Sequence, residues 1–317
     1  MKWIMLTVLT LLTLGQLATA DTTNTNIGLS VWSGYPESVK GFKAALAGAG
    51  FEEGSNVTYI YRNAGADRTK QTEIAKEFRD KNVDMVYTLT TPGTVLIKEY
   101  LPSTTPIVFS IVTYPADSGL IESFDYSGNN LVGTSNYVPL KSYVDLLKQL
   151  LPDAKTAAIF HRKGEPNSKI QAVGLSRLLK SSGVRVIDLT PESVEEVTAM
   201  AESIAEEADV FITTTDTLMQ GGGEKMLISV SLKTNTPILS SNKQGIIDGS
   251  SFGPVADFYT LGKMSGEMAV RILKENKSPS SMTSRRQEPP QVLINRNSFD
   301  SLQLSLPETL TDYKYAE

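Results

Sequence analysis

The sequence predicts an α/β protein of two doubly wound parallel-sheet lobes joined by a multi-strand hinge. Short β-branched or aromatic runs alternate with amphipathic stretches of helical length along most of the 317 residues. That alternation is the pattern of repeated βα units. It restarts near residue 141, and the two halves open on the same local pattern.

In the first half, strand-like runs at 27–31, 57–62, 85–89 and 107–111 are separated by helical runs at 36–49, 68–81 and 94–100. In the second, a helix at 141–150 precedes strands at 157–160, 184–188, 210–214 and 237–240. Between them lie helices at 169–181, 194–206 and 224–233. The run at 27–31, a polar loop and a helix ending Ala47-Gly48-Ala49-Gly50 match the run at 157–160, a polar loop and a helix ending Ser181-Ser182-Gly183. A glycine just past a helix supplies the left-handed residue that turns the chain back toward the sheet. A strongly amphipathic helix at 258–274 and an irregular tail from Pro289 complete the chain. Crossings between lobes are expected near 133–135, 253–255 and 277–279. They assign 21–134 and 257–278 to one lobe, and 135–256 and 279–317 to the other. Several crossings make a hinge that bends while holding the lobes in register.

Met1-Lys2, the apolar run from Trp3 to Leu14 and Ala18-Thr19-Ala20 have the form of a secretory signal spanning residues 1–20 and cleaved before Asp21. The run is shorter than the roughly 20 residues of a spanning helix and is diluted by Thr7, Thr10 and Thr13. The chain contains no cysteine, which excludes disulfides, thiolate catalysis, thiolate metal sites and an acylated cysteine anchor. An exported, unanchored protein is retained only behind an outer membrane, so a periplasmic location is expected. Acidic residues outnumber basic ones by 35 to 30, without a basic block, so neither nucleic acid nor an anionic lipid surface is an expected partner.

Ligands of open parallel sheets bind beyond the carboxyl ends of the strands. The residues there are Trp32, Ser33 and Tyr35; Thr90, Thr91 and Thr94; Ser110, Thr113 and Tyr114. The second half adds His161, Arg162, Glu165, Asn167 and Ser168; Thr214, Thr215 and Asp216; Ser240, Ser241 and Asn242. Neutral hydroxyls, amides and aromatics dominate, a composition suited to a small polar molecule. In Thr91-Pro92-Gly93-Thr94 the threonine caps, the proline opens a helix, and the free amides that follow suit a carboxylate; an ordinary helix start has the same sequence. Asp216 suits an ammonium group or a solvent-facing cap. Trp32, Tyr35, Tyr114 and Tyr137 suit ring stacking or plain packing. His161, the only histidine, and Arg162 could contact ligand or stand in solvent.

Catalysis has little to draw on. With one histidine, no cysteine and no Gly-x-Ser-x-Gly elbow, a nucleophilic triad lacks its parts. Gly221-Gly222-Gly223 lacks the lysine and spacing of a phosphate loop. No enzyme activity, cofactor or metal is expected, although paired carboxylates need no linear motif.

The chain resembles one family across nearly all of residues 21–317. Gly41-Phe42-Lys43-Ala44-Ala45-Leu46, the segment Gly50-Phe51-Glu52-Glu53-Gly54-Ser55-Asn56-Val57, Ala75-Lys76-Glu77-Phe78 and Thr91-Pro92 are similar to the first lobe of ABC-transporter substrate-binding proteins whose better-known members bind tryptophan or tyrosine. Pro106-Ile107-Val108-Phe109, Leu150-Leu151-Pro152-Asp153-Ala154-Lys155, Glu165-Pro166-Asn167-Ser168, Thr215-Asp216 and Tyr259-Thr260-Leu261-Gly262-Lys263 continue the match in order. The resemblance implies a type I periplasmic-binding fold and a monomer that delivers a small solute, an amino acid or related carboxylate, to an ABC permease. The same fold also serves periplasmic sensors that dock on a chemoreceptor or sensor kinase. It further implies ligand contacts at Thr91, Ser135, Asn136, Asn167 and Asp216, with Thr91 toward a carboxylate and Asp216 toward an amino group. The chain departs from the family at His161-Arg162-Lys163-Gly164, where Asn-Pro is common, and in the loop Trp32-Ser33-Gly34-Tyr35-Pro36.

Overall fold

A computed structural model of the protein describes residues 24–316. The expected signal peptide lies outside the described residues, and none of the described helices is long and apolar enough to cross a membrane.

The chain forms two sheets. The first contains β1 (Thr25–Val31), β2 (Val57–Asn63), β3 (Met85–Leu89), β4 (Ile107–Ser110) and β5 (Leu131–Ser135) in the order β2-β1-β3-β4-β5, all parallel. The second contains β6 (Thr156–Phe160), β7 (Arg185–Leu189), β8 (Val210–Thr213), β9 (Ile238–Leu239) and β10 (Phe252–Val255) in the order β7-β6-β8-β9-β10. The orders are the same, strand for strand, which is the duplication expected from the sequence. In each sheet the direction of winding reverses beside its first strand, and that reversal opens a crevice at the carboxyl edge.

Strands β3, β4, β6, β8 and β10 are buried at every position. Helices cover both faces of a parallel sheet, so such strands are apolar throughout and do not alternate. The first sheet is covered by α1 (Pro36–Gly48), α2 (Arg68–Asp80) and α3 (Thr91–Tyr100). The second is covered by α4 (Leu140–Leu150), α5 (Pro166–Ser181), α6 (Val194–Ile204), α7 (Glu224–Thr234) and α8 (Lys243–Asp248). Gly50 and Gly183 follow α1 and α5 with φ of +87° and +83°, the left-handed turns anticipated there. Helix α9 (Phe258–Glu275) returns to the first lobe and packs on α1. Here the backbones nearly touch: a Cβ at Gly41 would overlap the Tyr259 carbonyl, and one at Gly262 the Ser38 carbonyl.

Two segments differ from expectation, the third crossing and the tail. Residues 133–135 and 253–255 are the ends of β5 and β10, and the chain crosses between lobes just after them. Their glycine- and hydroxyl-rich composition resembles a linker, but parallel neighbours satisfy their backbone groups. The third crossing moves from 277–279 to beyond β11 (Arg285–Arg286), which pairs with β5 and keeps residues 279–286 with the first lobe. The tail carries β12 (Gln291–Ile294), antiparallel to β10, then α10 (Arg296–Ser301) and β13 (Lys314–Tyr315). At the hinge, Asp257 N–H donates to Gln287 Oε1 at 2.8 Å and Lys243 Nζ to Asp257 Oδ2 at 2.6 Å, binding two crossings together.

Candidate functional site

The carboxyl edges of the two sheets face each other and touch. Thr113 Oγ1, beyond β4, lies 3.3 Å from Thr215 Oγ1, beyond β8. Beside this contact is an inner cavity of about 10 Å3, lined by Tyr35, Thr90, Thr91, Ile111 and Asn136 from the first lobe and by Glu165, Asn167, Thr215, Asp216, Thr217 and Gln220 from the second. A chamber of about 340 Å3 adjoins it. Tyr35 and Gln220 line both spaces, and Pro36, Met219, Gly221, Gly222, Asn242 and Phe258 line the chamber.

On the first-lobe side, Thr90 Oγ1 and Thr91 Oγ1 are buried without a partner, at the start of a helix that has no side-chain cap. Thr90 (φ 69°), Ile111 (φ 56°) and Tyr35 (φ 60°) all hold left-handed backbone. Such conformations cost on the order of 1–3 kcal/mol each in non-glycine residues and gather where function requires them. Gln71 supports this helix start from below, donating through Nε2 to the Gly93 carbonyl and to Ser30 Oγ.

The second-lobe side carries two carboxylates. Asp216 accepts four bonds: Leu218 and Met219 N–H on Oδ1, and Arg162 N–H and Thr214 Oγ1 on Oδ2. Those partners use its acceptor capacity, so it shapes the turn instead of facing outward. Glu165 has fewer partners, all but one from Thr217: Oε2 accepts from Thr217 Oγ1 at 2.6 Å, and both oxygens share its N–H at 3.2 Å. Arg162 Nη1 stands 3.9 Å away. Burial, then the neighbouring Asp216 charge, pushes the Glu165 carboxyl up to about 7. Asp216 is also raised by burial, against the pull of its backbone donors. Tyr35 is held well above the usual phenol range by burial and by both carboxylates. Asn167 Nδ2 donates to the Thr215 carbonyl at 2.5 Å, leaving its buried Oδ1 unpartnered. Gln171 fixes Thr215 by accepting from both its N–H and its Oγ1.

Of the residues expected at the site, Tyr35, Thr90, Thr91, Asn136, Asn167, Thr215 and Asp216 line the inner cavity. Ser33 and Asn242 line the chamber, and Thr113 forms the cross-cleft contact. The others are engaged elsewhere. Trp32 belongs to the core of the first lobe, with Gly93 against its Cβ, and does not offer a ring to the cleft. Ser110 bonds Ser38 and Thr134, and Thr94 donates to the Thr90 carbonyl. Ser135 donates to the Thr113 carbonyl, Ser168 to those of Arg162 and Glu165, and Ser241 to that of Thr213. Tyr114 and Tyr137 meet edge to face at 5.4 Å. His161 is buried with Nε2 3.0 Å from Asp188, instead of standing on an exposed loop. Arg162 donates to Thr217 Oγ1 at 2.6 Å. Thr217 and Gln220 are additional cavity residues. Thr217 lies on the turn into a π-type segment, Met219–Gly223, and Gln220 within it; the glycine triplet of that segment was the only sequence sign of an irregular helix start.

Among the described residues no group of three or more His, Cys, Asp or Glu side chains could hold a metal ion.

A family model described as ABC transporter substrate binding protein matches residues 33–316. A tyrosine-binding protein of Clostridioides difficile is 28% identical over 282 residues, covering 88% of this chain and 81% of that protein. Among solved structures, an ABC domain from Streptococcus pneumonia in complex with L-Trp superposes with a TM-score of 0.87 at 22% identity, covering 92% of this chain and 99% of that one. A ligand-free, open substrate binding protein with adhesive properties from Clostridium difficile gives 0.72 at 24% identity, covering 92% and 99%. Likeness at these identities establishes the type I periplasmic-binding fold.

Proposed function

As the chain belongs to the family of ABC transporter substrate binding proteins, we propose that it captures a free amino acid between its lobes and delivers it, unaltered, to an ABC permease from the periplasm. The observation that carries this reading is the polarity of the inner cavity. Hydroxyl donors and an uncapped helix start, at Thr90, Thr91 and α3, stand on one lobe. Acceptors, Glu165 and Asn167 Oδ1, stand on the other. A zwitterion bridges such a pair of surfaces, carboxylate to α3 and ammonium to Glu165. The amino group therefore falls to Glu165 in preference to Asp216, whose oxygens are already bonded.

The cavity of about 10 Å3 holds no more than one water-sized group. Ligand entry consequently needs the lobes to part at the hinge, and the ligand replaces the Thr113–Thr215 contact as the link between them. The tyrosine and tryptophan of the related proteins support an aromatic amino acid as cargo. Binding without turnover and a monomeric state belong to the same proposal.

Native mass spectrometry and a thermal-shift screen across the twenty amino acids test it. A ligand at a hundredfold excess over Kd adds about 2.7 kcal/mol and raises Tm by several degrees. The expected result is a shift confined to a few related amino acids; no shift with any of them would reject the reading.

A further inference from the structure

We propose that the Thr113–Thr215 contact is a releasable latch that holds the lobes closed against ligand entry, and that Gln171 arms it by fixing which of the two hydroxyls supplies the proton. Only the consequence for ligand entry rests on the amino-acid reading above.

On the second lobe, two backbone groups set the direction of every bond. The Thr215 N–H can only donate, so the Gln171 atom that it meets at 2.8 Å is the oxygen, Oε1. Gln171 Nε2 then donates to Ser241 Oγ at 2.9 Å, and the Ser241 proton goes to the Thr213 carbonyl at 2.6 Å. With the amide fixed at both ends, Thr215 Oγ1 gives its one proton to Gln171 Oε1 at 2.8 Å. Toward the first lobe it has only lone pairs to offer. Gln171, Thr215 and Ser241 are all buried.

On the first lobe, the Thr113 hydroxyl also has one proton, and two acceptors claim it. Asn136 Oδ1, on the same lobe, lies at 3.0 Å, and Thr215 Oγ1, across the cleft, at 3.3 Å. Ser135 steadies Thr113 from behind, donating to its carbonyl at 2.8 Å. Closure therefore adds an acceptor without adding a donor. Opening strands neither hydroxyl, since Thr113 keeps Asn136 and Thr215 keeps Gln171. A buried group left unpaired is what makes a hydrogen bond expensive to break, and none is left here. The contact biases the lobes toward closure and still lets go. What it holds closed is a cavity of about 10 Å3, too small for an amino-acid head group. The latched form thus admits no ligand, and the latch slows entry.

The chain has no cysteine, so one introduced on each lobe takes a spin label alone. Arg68→Cys on α2 and Glu195→Cys on α6 are exposed positions, and pulsed electron resonance between them reads lobe separation in protein purified free of ligand. Thr113→Val removes the donor and should raise the open-to-closed ratio at least about twofold, the loss of one neutral hydrogen bond. Thr215→Val, which removes the acceptor, should do the same, and Thr113→Ser should match wild type. Asn136→Ala removes the rival acceptor and should lower the ratio by a similar factor. In stopped-flow mixing with L-tyrosine, Thr113→Val should bind with an association rate constant at least about twice that of wild type and an unchanged dissociation rate constant. A shift in the same direction for Thr113→Val and Asn136→Ala overturns the proposal, because loss of their shared bond would then be the cause. Faster dissociation at an unchanged association rate also overturns it, by making the contact a clamp on bound ligand. So does wild-type behaviour of Thr113→Val in both measurements. If L-tyrosine and every other amino acid fail to bind, the head-group reading fails, and the lobe distances still decide the latch.

Discussion

Acidification should weaken ligand binding and stabilise the ligand-free protein, and both effects trace to Glu165. Its carboxyl titrates near 7 because burial and the Asp216 charge disfavour ionisation; the titration belongs to the pair, with the proton on the partner that has fewer donors. An ammonium ligand needs the carboxylate. The ionised fraction falls from about nine-tenths at pH 8 to about one-hundredth at pH 5, so affinity should fall roughly a hundredfold, or about 2.7 kcal/mol. For the free protein the sign reverses. A carboxyl at 4.5 when unfolded and near 7 when folded binds more protons in the folded state between those values. Its contribution is full below about 4.5 and is lost as pH rises through 7, by about 3 kcal/mol. Calorimetry at pH 5, 6, 7 and 8, in two buffers of different ionisation enthalpy, should show proton release near half an equivalent at pH 7. Glu165→Gln should lose the pH dependence, bind more weakly at pH 8, and melt no lower than wild type there. A flat affinity from pH 5 to 8, or the same slope in Glu165→Gln, would refute the reasoning.

Asp216→Ala should cost about 3 kcal/mol or more in urea unfolding, because three buried amides and the Thr214 hydroxyl lose their acceptor. Unchanged stability would show that the turn does not depend on it. Thr91→Val should reduce amino-acid affinity at least tenfold with Tm unchanged, since a hydrogen bond to a charged group contributes about 1.5–3 kcal/mol. Gly262→Ala should destabilise by about 2 kcal/mol through separation of α9 from α1, read as a lower urea midpoint at constant m-value. Trp32→Phe should leave ligand affinity within about threefold while lowering Tm, as expected of a core residue.

Much of this was legible in the sequence because parallel α/β folds place strands, helices and site in a fixed relation. The alternating runs located β1–β4 and β6–β9 but not β5 or β10, and reading only the residues after each strand reached Thr90, Thr91, Asn167 and Thr215, which line the cavity. The same rule collects residues that point the wrong way. Trp32 follows β1 as Tyr35 does, yet turns into the core, and no local pattern distinguishes the two. Asp216 has the look of a free carboxylate; only the folded turn brings four donors to it. Glu165, by contrast, stood in an Asn-Ser-rich helix start where an acid resembles a solvated first-turn residue. Strand β12 depends on antiparallel pairing with the distant β10, so local periodicity left it in an irregular tail.

The central claim is that the two lobes grip an intact amino-acid head group. Calorimetry of L-tyrosine beside its methyl ester and its deamino analogue, on one preparation at pH 8, tests it most directly. The account predicts that removing either charge weakens binding by at least tenfold, the ester through the α3 side and the deamino compound through Glu165. Equal binding of all three would contradict it and place recognition in the side chain alone.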